Sequence, residues 1–509
     1  MTATMGRESV SAPPRLARRR ALVAPLAVGI LGFTISMIGI TVPGLWYDEA
    51  ATVSSTTRSW PQLWAELGNV DAVHALYYSV MHVVFDVFGY SPLSLRMPSA
   101  IAVGIAAGLV VVLGRQIDRP RLAVIAGVVF CLIPRVAWMG TEGRSYALTA
   151  TFAVLATVAL MRAIRTGTRG AWIIYGVIAL LSVTLFLYLA LVIAAHLATM
   201  AWLLRDGTPR SRINARNWLF SAGAAAFASL PFALIVISQS GQVSWIRPLG
   251  SDTAERILSW QWFDSNDTPA IVAWAFAIVA WGLILLGIVA LVRAHARTVL
   301  AVMLPALLLP TLTLLFISVV HVPMYQPRYL TMCAPFVAIA IASGIDSIRW
   351  RPAAPLALAL IAVLALPQMS AQRQPEAKEN SSWTKVAQLI QTERAADGPD
   401  STTAIIYGEL WGHAKATTRV IAYSYPQPFA DTVDVTIRTP AADTAQLWET
   451  RAPIAQSLDR LEGTDVAYLI TSKSRDLRPA TTAALESVGW RVTDEWSFTW
   501  INVLRYVRD

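Results

Sequence analysis

Charge is what this sequence lacks most. Only 14% of its 509 residues are Asp, Glu, Lys or Arg, and lysine does not occur before Lys378. A globular chain carries about a quarter charged residues. With 55% hydrophobic residues and a mean hydropathy of +0.51, most of this chain cannot present a surface to water, so the bilayer is its solvent. Cysteine is also scarce. Cys131 and Cys333 both lie inside apolar runs, with no Cys-x-x-Cys spacing, which argues against a disulfide framework or a zinc site. Internal repeats and low-complexity segments are missing too. The net charge of +9 would suit nucleic acid only if basic side chains clustered on one exposed face. Here the arginines sit singly or in short groups between apolar runs, so no nucleic-acid partner is expected.

What the sequence does have is long apolar runs. About 17 to 25 such residues are needed for a spanning helix. Candidates are Ala21–Val42, Pro98–Leu113, Leu122–Met139, Tyr146–Met161, Trp172–Tyr188, Leu189–Leu204, Trp218–Ser238, Pro269–Val292, Thr298–Val320, Leu330–Ile345 and Ala353–Leu366. That reading predicts a polytopic α-helical membrane protein with about eleven spans, Trp172–Leu204 forming two joined by a tight turn. Arg15, Arg18, Arg19 and Arg20 precede the first run, which is too long for a signal core and has no small-x-small cleavage site. It reads as a retained helix with its N-terminus in the cytoplasm.

Arginine placement tests the parity, since cytoplasmic loops are the basic ones. Alternate loops hold Arg115, Arg119 and Arg121; Arg162, Arg165 and Arg169; Arg205, Arg210, Arg212 and Arg216; Arg293 and Arg297; Arg349 and Arg351. The opposite loops, Leu45–Met97, Gly140–Ser145, Gln239–Thr268 and His321–Tyr329, are then extracytoplasmic, as is everything after Pro367. Ala72–Tyr90 is apolar but contains His74, His82 and Asp86, and counting it as a span would reverse every later loop. It is assigned as an interfacial helix with an apolar face in lipid and a polar face toward water.

From Ser370 the charge density rises and apolar runs shorten to strand length. Residues 1–369 therefore read as a membrane domain and 370–509 as a soluble extracytoplasmic α/β domain. Within it, Trp383–Ala396 has helical spacing, Thr403–Tyr407 and Val466–Thr471 read as buried strands, and Trp490–Arg505 as a hairpin. Its Glu409, Trp411 and His413 form no assignable motif, and Asn380-Ser381-Ser382 matches a glycosylation acceptor that arises readily by chance.

Ionisable groups beside a span are costly unless they pair or work. The first outer loop opens with Trp46, Tyr47, Asp48 and Glu49; Asn69, Asp71, His74, Tyr77 and Tyr78 follow. A short outer loop holds Glu142, Arg144 and Tyr146, and the last outer turn holds Gln326, Pro327, Arg328 and Tyr329. A carboxylate pair at a helix end serves equally as a solvated interface, and a lone histidine such as His74 is more often structural than catalytic. Trp245, Trp260 and Trp262 suit either a flap over a sugar or anchoring at the interface.

Taken in order, Tyr-Asp-Glu after the first span, His-x-x-Tyr-Tyr, Ser-Pro-Leu-Ser-Leu-Arg-Met-Pro-Ser (Ser91–Ser99), Glu-x-Arg-x-Tyr and Pro-Arg-Tyr resemble the GT-C membrane glycosyltransferases. The likeness is to the branch of the protein O-mannosyltransferases and aminoarabinose transferases, together with cell-envelope sugar transferases. It covers about Ala21 to Pro367. The chain departs from the pattern at His74-Ala75-Leu76, where many relatives have His-Pro-Pro. The resemblance implies inverting transfer of a sugar, mannose or arabinofuranose, from a polyprenyl-phosphate donor to a glycan, glycolipid or protein acceptor at the outer face of the cell membrane. It implies Asp48 as the general base, with Glu49, His74 and Glu142 as further catalytic candidates. Arg328, Tyr329, Arg144 and Arg247 are candidates for the donor phosphate, since a guanidinium grips two phosphate oxygens at once. A divalent metal ion, left open, would sit on Asp48 and Glu142. The competing classes are an envelope-lipid transporter or flippase and a non-catalytic envelope scaffold.

Overall fold

A computed structural model describes residues 15–117, 119–205, 207–264, 268–410 and 412–509; Trp411 falls outside them. Among the described residues, eight helices are long and apolar enough to cross a membrane: Pro92–Gln116, Tyr146–Thr166, Leu187–Leu204, Pro209–Ser238, Ala270–Arg293, Arg297–Val320, Pro327–Ser347 and Ala353–Ala371. Shorter apolar helical stretches are Ala21–Met37, Ala72–Phe88, Pro120–Leu132 and Arg169–Leu185. Large apolar side chains such as Phe227 and Ile271 stand about four-fifths exposed on the long helices, which only a lipid surround makes inexpensive.

Numbering from the start of the described chain, α1 is Arg15–Met37, α2 Tyr47–Thr56, α3 Trp60–Leu67, α4 Ala75–Phe88 and α5 Pro92–Gln116. Helices α1 and α5 pack through small residues. A Cβ on Gly104 would lie 2.8 Å from the carbonyl oxygen of Gly29, and one on Gly108 2.9 Å from that of Pro25. This is the close backbone approach that membrane helices use where no hydrophobic drive exists between them. Between Trp172 and Leu204 the chain breaks at Phe186, which is extended. The Tyr175 hydroxyl then meets His196 Nδ1 at 3.0 Å, so the two arms lie side by side as a helical hairpin.

Helix α4 buries Tyr77, Tyr78, Met81, His82 and Phe85 and exposes Val80, Val83, Val87 and Phe88. The exposed apolar face suits lipid. The other face differs from the expectation, because it turns to protein: His82 Nδ1 lies 2.9 Å from the Thr56 carbonyl of α2, and only Asp86 reaches the surface. A ring that can satisfy a backbone carbonyl inside the fold is better placed there than its polarity suggests.

The C-terminal region is a mixed five-stranded sheet in the order Val433–Asp434, Thr403–Tyr407, Val466–Ser472, Ile501–Arg508, Trp490–Ser497. The first three strands are parallel and the last two close an antiparallel hairpin. Thr403–Tyr407 is buried on both faces, as expected for a parallel strand covered twice. Ile405 and Tyr407 pack with Val386 and Ile390 of the helix Trp383–Asp397, whereas Ala404 and Ile406 pack with Leu485 of the helix Arg478–Glu486. The first of these layers also contains Ala50 and Ala51 of α2. Helix α2 is thereby held between the membrane helices and the sheet region, and every residue from Asp48 to Thr56 is buried.

Candidate active site

The Trp46 backbone is extended and α2 begins at Tyr47, placing Asp48 and Glu49 in the first turn. There the helix dipole favours negative charge. Successive residues of a helix point about 100° apart, so the two carboxylates face different surroundings.

Glu49 points inward and is fully buried. Arg96 of α5 donates Nε to Oε1 and NH2 to Oε2, each at 2.7 Å, while Lys378 Nζ and the Gly143 N–H each reach Oε1 at 2.9 Å. Arg96 spends its other N–H groups on the carbonyls of Ile40, Pro43 and Gly44. Lys378 also pairs with Glu142 Oε1 at 2.8 Å, and Trp46 Nε1 donates to Glu142 Oε2 at 3.0 Å. Burial would raise the Glu49 carboxyl, but Arg96 and then Lys378 outweigh it and hold it low. Burial wins at Glu142, pushing it up to about 7 against Lys378. The arrangement ties four chain segments together and gives Glu49 a structural use.

Asp48 is 9% exposed and faces the other way. Its Oδ2 lies 3.5 Å from Arg328 NH2 and its Oδ1 3.8 Å from Arg144 NH2. Burial would raise its pKa, but the Arg328 charge, then that of Arg144, bring the net shift downward. Arg328 lies 5.2 Å from the Trp46 ring and 5.1 Å from that of Trp245, two cation–π contacts that help hold the guanidinium beside Asp48. Arg144 donates to the Tyr78 hydroxyl, which donates to Asp71 Oδ2, each at 2.8 Å. Asp71 holds a left-handed φ of 58°, and its N–H and that of Ala72 are pinned by Gln242 and Gln239. Backbone strain of this kind persists where the surroundings enforce it, and functional sites are where it collects. Nε of both Arg144 and Arg328 is buried with no hydrogen-bond partner among the described residues. These are unspent donors for an anion.

Of the remaining predicted residues, His74 and Tyr329 stay close enough to Asp48 and its arginines to interact with their charges. His74 is half-buried beside Tyr78, with ring centroids 5.5 Å apart and Nδ1 unpartnered. Tyr329 joins Phe186 and Tyr188 in an aromatic cluster, at centroid distances of 5.8 and 5.7 Å. Arg247 is exposed and takes part in none of these hydrogen bonds or ion pairs. Trp245 covers Arg328, whereas Trp262 is buried against Phe263 and Trp281. A divalent cation does not fit the donor set. It would meet the two guanidiniums beside Asp48, Glu142 is taken by Lys378 and Trp46, and no group of three or more His, Cys, Asp or Glu among the described residues could hold a metal.

Several members of the cluster were not assigned from the sequence. Arg96 lies in the Ser91–Ser99 motif without a role of its own, and the only available signal for Lys378 was its place as the first lysine of a lysine-poor chain. His413 gave no signal. Its ring stacks on Tyr47 at 3.4 Å and 5°, and Tyr47 in turn accepts from Trp448 Nε1 at 2.9 Å.

No protein-family model matches the chain, and no curated protein matches it. Solved structures do match its fold. ArnT from Cupriavidus metallidurans bound to undecaprenyl phosphate superposes over 97% of this chain and 98% of that one, at 12% identity and a TM-score of 0.53. The archaeal oligosaccharyltransferase AglB from Archaeoglobus fulgidus, in complex with an inhibitory peptide and a dolichol-phosphate, covers 90% of this chain and 70% of its own, at 13% identity and a TM-score of 0.50. The mycobacterial arabinofuranosyltransferase AftD matches over 96% of this chain and 40% of that one, at 16% identity and a TM-score of 0.53.

Proposed function

From the GT-C fold that the chain shares with these membrane glycosyltransferases, we propose that it transfers a sugar from a polyprenyl-phosphate donor to an acceptor at the outer face of the plasma membrane. The observation that carries this reading is Asp48, held ionised at the start of α2 between Arg328 and Arg144. The undecaprenyl phosphate on ArnT and the dolichol-phosphate on AglB support a lipid phosphate as the leaving group.

The chemistry follows from competition for the guanidiniums. Arg328 and Arg144 accept the donor phosphate on their unspent N–H groups, with the prenyl chain running along the aromatic cluster of Phe186, Tyr188 and Tyr329 into lipid. Asp48 then loses part of its counter-charge and becomes more basic. It takes the proton of the acceptor hydroxyl as that oxygen bonds to the anomeric carbon, and the bond from this carbon to the phosphate oxygen breaks with its electron pair staying on the phosphate. The two arginines stabilise that developing charge. One displacement inverts the anomeric configuration. Mannose and arabinofuranose are the sugars proposed. Residues 1–369 form the transferase domain and 370–509 the extracytoplasmic domain, an orientation supported by the arginine parity.

The test is transfer from radiolabelled polyprenyl-phosphate-mannose and polyprenyl-phosphate-arabinose in membranes containing the native chain or Asp48→Asn. Transfer present in the first and lost in the second supports the proposal. Absence of transfer from both donors overturns it.

A further inference from the structure

The helix Tyr146–Thr166 starts beside the Asp48 site, where the Tyr146 ring lies 6.5 Å from that of Tyr329. Ile164, in its last turn, is about 27 Å further along the helix axis, at the opposite end of the bundle. There the helix meets the end of Leu187–Leu204 and the start of Pro209–Ser238, and the three enclose a pocket of about 450 Å³. That volume falls within the size range of small-molecule sites.

The walls are fixed by a polar network deeper in the bundle. His196 Nε2 lies 3.0 Å from Thr157 Oγ1 and Nδ1 3.0 Å from the Tyr175 hydroxyl, which accepts from Trp218 Nε1 at 2.9 Å. All three pocket helices carry a member of this network, so the space between their ends does not close by sliding.

From Arg162 to Arg216 the sequence has seven arginines and one acid, Asp206, which falls outside the described residues. Topology asks only that arginines lie at this end of the spans; it does not ask for a pocket. Two of the arginines, Arg165 and Arg210, line it with Ser211, and Ile164, Met200 and Leu203 form its apolar wall. Its lining contains no acid and no aromatic ring. Arg210 NH2 donates to the Arg165 carbonyl at 2.5 Å, and Asn214 Nδ2 to that of Ile164 at 3.3 Å. These bonds cap the carbonyl end of Tyr146–Thr166, whose dipole would otherwise repel an anion. The Arg165 guanidinium and the other N–H groups of Arg210 have no partner among the described residues. Two guanidiniums without a counter-charge, beside the N-terminal end of Pro209–Ser238, suit a phosphate.

The surroundings say what carries that phosphate. Pro209–Ser238 is the least buried of the eight spans and exposes Leu219, Phe220 and Phe227, so acyl chains lie along it. We propose that this pocket binds an anionic phospholipid, with its phosphate on Arg165 and Arg210 and its acyl chains along Pro209–Ser238. Basic pockets between spanning helices suit such headgroups, and the apolar wall favours a lipid over free phosphate. The proposal does not rest on the transferase reading.

The test titrates the full-length protein in neutral detergent with fluorescently labelled dioctanoyl phosphatidylglycerol, followed by anisotropy. Competitors are unlabelled dioctanoyl phosphatidylglycerol, dioctanoyl phosphatidylcholine and inorganic phosphate. Saturable binding is expected, displaced by phosphatidylglycerol and not by the other two at equal concentration. Affinity falls about fivefold in Arg165→Gln and in Arg210→Gln. It falls at least tenfold in Ser211→Trp, which fills the pocket and keeps every charge. Arg349→Gln, an exposed arginine just past the end of Pro327–Ser347 and outside the pocket, leaves it unchanged, as does Arg328→Ala. Since the Arg165 guanidinium has no partner in the fold, Arg165→Gln leaves thermal unfolding unchanged, and its lost affinity is not misfolding. Absence of saturable binding, or equal affinity in native, Arg165→Gln and Ser211→Trp proteins, overturns the proposal. So does an equal loss in Arg349→Gln, which would make the effect diffuse surface charge, or a loss in Arg328→Ala, which would put the lipid at the Asp48 site. Displacement by inorganic phosphate as effective as by phosphatidylglycerol overturns the lipid as the ligand.

Discussion

Arg96 grips Glu49 through two parallel hydrogen bonds of 2.7 Å, with both side chains fully buried. Removing one partner of such a pair strands a charge and costs about 3 to 5 kcal/mol. Glu49→Ala and Arg96→Ala are therefore expected to lower the melting temperature in detergent sharply, and Arg96→Lys to lower it too, since an ammonium cannot reproduce the fork. Unchanged melting in all three would show that the pair contributes little to the fold.

One residue earlier the outcome differs. Asp48→Asn keeps the shape and removes the proposed base, so the protein is expected to fold and bind donor while transfer falls by about 10²- to 10⁴-fold. Donor binding measured alongside turnover checks this, and near-native turnover would remove Asp48 from the chemistry.

Arg328 is expected to act on both binding and rate, because the proposed mechanism has it meet the donor phosphate before and during departure. Arg328→Lys retains a charge but loses the flat guanidinium beside Trp46 and Trp245. Transfer should fall about 10²- to 10³-fold in Arg328→Ala and to a lesser degree in Arg328→Lys. Equal rates for Lys and Arg would mean that charge alone matters there.

The unfavourable donor set around Asp48 leads to a simple expectation for metal removal. Treatment with EDTA leaves transfer unchanged. Loss of transfer that magnesium or manganese restores would place a cation in the site.

His413 supplies a pH dependence with a defined sign. Its folded pKa of about 4 lies below the ordinary value of 6.5, so the unfolded chain binds more protons between these values. Its contribution to stability is complete above pH 6.5 and declines as the pH falls toward 4. Melting of the native protein and of His413→Gln, followed from pH 7.5 to 4, should converge as the medium becomes acidic. Glu142, raised to about 7, has the opposite slope between 4.5 and 7 in both proteins, so the difference between the two curves isolates the histidine. Parallel curves would show that stacking on Tyr47 does not depend on a neutral ring.

Much of the architecture could be read locally. Apolar runs such as Ala270–Arg293 declare spanning helices because lipid demands both length and low charge, and the all-apolar Thr403–Tyr407 declares a strand covered on two faces. The polar residues were harder to place. His82 looked like part of a wet face and instead serves the Thr56 carbonyl, because hydropathy reports the preference of a side chain and not the partner it finds. Trp245 and Trp262 have the same composition signal, yet one covers a cation and the other fills the core.

The sequence by itself determined the solvent of this protein, the presence of a C-terminal α/β region and the segments that contribute charge at the helix ends, since these depend on composition and period. It placed Asp48 and Glu49 side by side without telling them apart. Only the tertiary structure decided that Glu49 turns to Arg96 and Lys378 while Asp48 faces Arg144 and Arg328, because the roles follow from the direction in which a helix is rotated when it packs. Only the docking of the sheet region on α2 brings His413, Ser472 and Trp500 to Tyr47. Contacts across more than 350 residues of chain are set by the packing of whole surfaces, which no local pattern of side chains records.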